Sequence, residues 1–153
     1  LKSGAIDATE WVGPYNDLAF GLYRAARYYY YPGWHEPGTT LEAIVNKKAF
    51  EALPKDLQSI VMNACKVVNQ DISTEFTARN KTALDTLVNK HKVDVRRLPD
   101  DVLQKLKILS HDVVTELANK NNAAKKIYAS YNKFYKQVVA WHDISEKIYF
   151  NIR

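Results

Sequence analysis

The stretch Tyr28-Tyr29-Tyr30-Tyr31-Pro32-Gly33-Trp34-His35-Glu36-Pro37-Gly38 runs four consecutive tyrosines into two Pro-Gly pairs, with an indole, an imidazole and a carboxylate held between them. Four tyrosines suit an extended strand, because the pleat sends alternate rings to opposite faces, and Pro32-Gly33 then stops the strand with a turn. Trp34, His35 and Glu36 sit on a loop stiffened at both ends. A carboxylate beside an indole on such a loop is a candidate small-ligand or cation site. The same pattern also describes a surface turn with a packed Trp34 and a solvated Glu36.

Upstream, Ala8 to Val12 reads as an extended segment ended by Gly13-Pro14. Asn16 or Asp17 can cap a helix carrying Leu18, Ala19, Leu22, Tyr23 and Ala26 and ending near Arg27. Downstream, Thr40 to Val45 reads as a third extended piece closed by Asn46. Three extended pieces with a helix between the first two are an α/β signature. From Lys47 the period changes. Lys47 to Leu53 predicts a short helix, and Leu57, Ile60, Val61, Ala64, Val68, Ile72 and Phe76 then recur at three and four residues after Pro54. Unbroken to Asn89, this helix would span roughly 54 Å. It therefore either breaks near Asn80 or crosses between two lobes. Val93 to Leu98 predicts a strand, and Pro99-Asp100 opens a helix lined by Leu103, Leu106, Leu109, Val113, Val114 and Leu117. Ala124 to Val139 and Trp141 to Ile152 continue as helix, with an aromatic stripe from Tyr128 to Tyr149 that reads as packing surface. The chain thus divides into a strand-rich, ligand-facing part, 1–46, and a mainly helical part, 47–153.

A chain of 153 residues with 46% hydrophobic side chains fits one domain with a core. Its net charge of +5 raises nucleic acid as a partner, but residues 1–46 hold three basic and five acidic side chains against nineteen and twelve in the remainder. The basic excess lies on the helical tail, interleaved with acids, away from the aromatics that would stack on bases. With no matching motif, the expectation is no nucleic acid. No apolar run is long enough to span a membrane, and Leu1-Lys2-Ser3-Gly4 does not read as a signal peptide. Cys65, the one cysteine, excludes an intrachain disulfide and reads as a small buried hydrophobe. His35, His91, His111 and His142 form no zinc-type spacing, and neither a GxSxG nor a phosphate-cradling glycine loop is present. Glu10 and Glu36 are the carboxylates beside tryptophans in turns. In a strand Glu10 would alternate with Trp11, so only one of the two could face a given cleft.

Taken together, Gly4-Ala-Ile-Asp7, Thr9-Glu-Trp-Val-Gly-Pro14, Tyr28 to Gly38, Val45-Asn46 and Leu53-Pro54 with Gln58 resemble the C-terminal half of a substrate-binding protein of TRAP transporters, the tripartite ATP-independent periplasmic family. The resemblance covers nearly the whole chain and is closest to members that bind 2-oxo acids or related carboxylates. It implies an α/β fold belonging to a two-lobed periplasmic-binding-protein-like architecture, with a long helix running across both lobes. It also implies a metal cation, sodium or calcium, bridging protein and substrate carboxylate. The positions carried over are the backbone carbonyl of Trp11 and the carboxylate of Glu36 as cation ligands, with the Trp11 ring against the substrate. Trp34 is expected to pack within its loop, and His35 receives no role. The first lobe, the export signal and a substrate-gripping arginine are expected upstream of Leu1.

The functional expectation is a non-enzymatic, periplasmic receptor fragment. It captures a small organic acid of the 2-oxo or hydroxy acid class for TRAP membrane permease subunits. The resemblance further implies a homodimer through the C-terminal helix, with Trp141, Ile144, Ile148 and Tyr149 at the interface. Two alternatives stand beside it: a structural oligomerisation module with no ligand of its own, and a small enzyme using Glu36 with His35 beside it.

Overall fold

The computed structural model describes residues 1–38 and 42–153. The elements run α1 (Pro14–Phe20), a 3-10 turn (Leu22–Arg24), β1 (Tyr28–Tyr31), α2 (Lys47–Glu51), α3 (Lys55–Asn89), β2 (Asp94–Arg97), α4 (Asp100–Asn119), α5 (Asn122–Ile144) and α6 (Glu146–Asn151). The fold is mixed α/β. Its described sheet is β1 paired in parallel with β2, in the register Tyr28 to Asp94 through Tyr31 to Arg97. The chain divides into two compact units, Leu1–Leu98 and Pro99–Arg153. The boundary lies after β2 because α1 packs on α3 and β1 pairs with β2, which ties residues before 46 to residues far beyond it.

Neither of two expected extended pieces forms a strand over its described residues. Ala8 to Val12 is irregular, as are Glu42 to Val45, while Thr40 and Leu41 lie outside the described residues. Both segments have some β-propensity but no partner strand among the described residues, and propensity without a ladder does not make a strand. The tyrosine strand forms where expected because β2 satisfies its backbone.

The first helix starts earlier and ends sooner than its periodicity predicts. Pro14 occupies its first turn and Gly13 is the N-cap, so neither Asn16 nor Asp17 caps it. The capping group comes from α3 instead: the Tyr15 amide donates to Asn80 Oδ1 at 3.0 Å. Asn80 thus does not break α3, which continues through it. Gly21 ends α1 with φ 77, a left-handed geometry that costs glycine little, and its N–H bonds back to the carbonyls of Asp17 and Leu18.

α3 is unbroken over 35 residues, about 52 Å long. The Asn46 side chain caps α2 through the Ala49 amide at 3.1 Å, and Gln58 Nε2 donates to the Leu53 carbonyl at 2.8 Å, fastening the α2–α3 corner. The buried core of this unit is small: Ala83 and Leu87 on α3, Val93 before β2, and the carboxyl-bearing Asp17 on α1. Farther toward its N-terminus α3 exposes Leu57, Ile60, Val67 and Val68, and Cys65 is exposed as well, not buried as its apolar neighbours suggested.

In the second unit, α4 packs on α5 and α5 on α6. Asp100 and Asp101 stand in the first turn of α4, where the helix dipole favours them, and Asn121 caps α5 through the Ala124 amide at 2.9 Å. The break in the C-terminal helix falls at Ser145, later than Ala140. Ser145 has left the helical conformation, and its Oγ donates to the Trp141 carbonyl at 2.8 Å.

Candidate functional site

Two irregular segments carry the candidate residues, Ala8 to Val12 before α1 and Pro32 to Gly38 after β1. The first is aimed by α1, whose start is pinned to Asn80; the second leaves β1, whose tyrosines are pinned to β2. One further bond joins these supports. Tyr29, the half-buried member of the strand, donates its hydroxyl to Asp17 Oδ2 at 2.5 Å, linking β1 to α1 beneath the two segments. Burial pushes the Asp17 carboxyl above its ordinary range, against the lowering effect of the Tyr29 hydroxyl and the Gly13 backbone. Its Oδ1 is buried without a hydrogen-bond partner, which adds to that desolvation. Burial, together with the Asp17 carboxyl, pushes the Tyr29 phenol upward too.

On this frame Glu10, His35 and Glu36 converge. One ligand atom from each, two carboxylate oxygens and an imidazole nitrogen, lie within 4.8 Å of one another, and all three residues are exposed. Three donors at such separations fit around a single cation, and two carboxylates supply the charge for a divalent one. Because Ala8 to Val12 is not a strand, the alternation argument that set Glu10 against Trp11 does not hold, and Glu10 reaches the same point as Glu36. The Trp11 ring is 55% exposed and stacks on Phe20, with centroids 5.7 Å apart. Its backbone carbonyl is one peptide unit from Glu10. Trp34 is also exposed rather than packed inside its loop, and its ring meets the His35 imidazole at 4.7 Å.

Glu36 is thus a member of the cluster, while Glu10 and His35 join it without having been assigned a role from sequence. The available signal was the repetition of one pattern, a tryptophan next to a carboxylate in a Pro/Gly-bounded turn, at Glu10-Trp11 and at Trp34-His35-Glu36. That the two turns come together depends on α1 folding back onto α3, which no local spacing reports.

Residues 1–121 match the family described as bacterial extracellular solute-binding protein, family 7. This chain belongs to that family. It is 40% identical, over 99% of its own length and 41% of the relative's, to a monocarboxylate 2-oxoacid-binding periplasmic protein of Nostoc sp. (strain PCC 7120 / SAG 25.82 / UTEX 2576). Among solved structures it is similar to a TRAP transporter solute binding protein from Bordetella bronchiseptica RB50, at 35% identity and a TM-score of 0.93, covering 98% of this chain and 44% of that one. The Bordetella protein is described as a mixed occupancy dimer, with copurified calcium and picolinate in the bound active site versus an apo site. The chain therefore spans about two fifths of the length of these relatives. Both relatives are solute-binding proteins, not enzymes. Among the described residues no helix is long and apolar enough to cross a membrane.

Proposed function

We propose that this chain forms part of an extracytoplasmic, periplasmic receptor. It holds a small organic carboxylate of the 2-oxo acid class through a bridging cation and presents it to the membrane permease of a TRAP-type transporter. The observation that carries this reading is the convergence of Glu10, His35 and Glu36 beside an exposed Trp11. Two carboxylates repel a third, so the cluster as it stands opposes an anionic substrate. A divalent cation reverses that sign, because it neutralises Glu10 and Glu36 and keeps coordination positions for the oxygens of the substrate. The Trp11 carbonyl would complete the oxygen set, and its ring supplies an apolar wall. Calcium matches the carboxylate and carbonyl oxygens better than sodium does, because two formal negative charges stand in the cluster. The ligand-facing part is 1–46, and the helical remainder is scaffold.

The test is calorimetry with pyruvate, with and without calcium, on the chain supplied with the remaining length of its relatives. Calcium-dependent heat should appear in the parent and vanish in Glu36→Gln with the melting temperature unchanged, since Glu36 is exposed on a loop. Equal pyruvate affinity with calcium and with chelator would remove the cation from the account. An enzymatic role for Glu36 has no support from these relatives.

A second element of the reading is a homodimer through the C-terminal helices. Phe134, Trp141, Ile144 and Phe150 are each more than 60% exposed, and such a run of large apolar side chains seldom stays bare. Sedimentation equilibrium should give a dimer that becomes a monomer when the chain is cut after Ala140. A monomer before the cut would refute it.

A further inference from the structure

A second polar site stands apart from Glu10, His35 and Glu36, where the 3-10 turn meets the connection from α3 to β2. One backbone bond crosses between them, the Asp94 amide donating to the Arg27 carbonyl just after the turn at 2.9 Å, while the Val93 amide closes the connection back onto α3 at the Leu87 carbonyl at 3.0 Å. Lys92 reverses the connection with φ 57. Between them lies a cavity of about 280 Å³ lined by Tyr23, Arg24, Arg27, His91 and Lys92, with no aspartate or glutamate among its lining residues.

Aromatic contacts give this cluster a built geometry. Tyr23 stacks on His91 with centroids 3.8 Å apart. The Arg24 guanidinium lies 5.5 Å from the Tyr23 ring centre, with its Nε donating to the Tyr23 hydroxyl, and that of Arg27 lies 5.8 Å from the ring of Tyr28. Guanidinium groups resting on ring faces keep their N–H edges available for an oxyanion.

The charge is uncompensated as well. Lys47, Arg79, Lys81 and Lys147 each pair with a carboxylate one helical turn away. Arg24, Arg27 and Lys92 make no ion pair among the described residues. The carboxylate nearest in sequence, Asp94, is taken by Arg96 at 2.6 and 2.9 Å. Three basic side chains around one cavity repel each other until an anion enters, and the most favourable entrant carries more than one negative charge and several acceptor oxygens. We propose that this cavity binds a phosphate-class oxyanion, with Arg24, Arg27 and Lys92 as its ligands and the Tyr23–His91 stack as its floor. This site is independent of the cation reading, since it shares no residue with it.

The probe is pyrophosphate, followed by NMR of the His91 ring and of the Lys92 amide in the full chain, with chloride at matched ionic strength as control. Saturable shifts confined to this corner are expected. Arg27→Gln and Lys92→Asn should each weaken binding about tenfold, the loss of one charge-assisted hydrogen bond. Asparagine tolerates the left-handed geometry at Lys92, and Arg27→Lys, which keeps the charge, should retain most of the affinity. A parallel titration with phosphatidylglycerol vesicles against phosphatidylcholine vesicles identifies the source: shifts with the anionic vesicles alone assign a lipid head group, and shifts with pyrophosphate assign a free anion. No saturable shift with either probe, or undiminished binding in Arg27→Gln and Lys92→Asn, overturns the proposal.

Discussion

Leu1–Leu98 buries Ala83, Leu87 and Val93 and pins its loops with long-range side-chain bonds, Asn80 to the Tyr15 amide, the Tyr15 hydroxyl to Glu75 and Tyr29 to Asp17. In Pro99–Arg153 the described buried residue is Ala118, while Trp141, Ile144 and Ile152 stand 63%, 74% and 77% exposed. The long helix of the first unit is the less amphipathic, and the long helices of the second carry the sharper apolar stripes. A repeating apolar stripe therefore reports a face that needs covering, and says nothing of whether the same chain covers it. The first unit covers the C-terminal part of α3 within itself and uses that packing to aim two loops, while the N-terminal part of α3 and the helices of the second unit leave apolar side chains exposed.

The largest effect that sharpens this contrast is expected at Leu87, which is 2% exposed. Leu87→Ala should cost about 2–5 kcal/mol of unfolding free energy in urea, against about 0.5 kcal/mol or less for Ile144→Ala at concentrations too low for association. Equal losses would erase the distinction between the units. A middle-sized effect is expected at Asn80, whose side chain supplies the missing N-cap of α1. Asn80→Ala should lose about 1 kcal/mol and weaken ligand binding through misplacement of Glu10, whereas Asn119→Ala, whose amide bonds only within its own helix, should be close to neutral. If the two behave alike, the long-range cap has no special weight.

The smallest effect depends on pH. Burial raises the folded-state pKa of Asp17 above the ordinary aspartate value, so the folded chain holds this proton more tightly than the unfolded one. Stability is lost as pH rises from that value through the raised folded value. Asp17→Asn keeps an acceptor for Tyr29 and cannot ionise. Its melting temperature relative to the parent should therefore be higher at about pH 7 than at about pH 3. A difference that is flat or falls with pH would show that Asp17 is ionised without penalty.

How much of this was legible follows the range of the forces involved. α2, α3 and α4 could be read from the change of period at Lys47, the three-four spacing after Pro54 and the Pro99-Asp100 opening, because each is decided by neighbours in sequence, whereas the expected strands at Tyr28 to Tyr31 and Val93 to Leu98 form because each is the other's partner. Ala8 to Val12, and the described Glu42 to Val45 of the expected Thr40 to Val45 piece, are not strands because strand formation is decided by a partner, and the helix expected to reach Arg27 was cut short by the left-handed turn at Gly21. At the site, Glu36 was reached through its Pro/Gly-bounded loop. His35 stands beside it on the same loop, and Glu10 joined them only through the return of α1 onto α3, a contact spanning 65 residues at Asn80 and Tyr15. The charged pocket at Arg24, Arg27 and Lys92 was invisible for the same reason, since net charge counts cations without saying which have lost their carboxylates.

The central claim is that Glu10 and Glu36 share one cation that receives the carboxylate. Anomalous diffraction from crystals grown with calcium and pyruvate tests it most directly. The account predicts a calcium peak about 2.3–2.6 Å from an oxygen of Glu36 and of the pyruvate carboxylate. A pyruvate bound with no peak between it and Glu36, or a peak held by residues other than Glu10, Trp11, His35 and Glu36 on this chain, would contradict it.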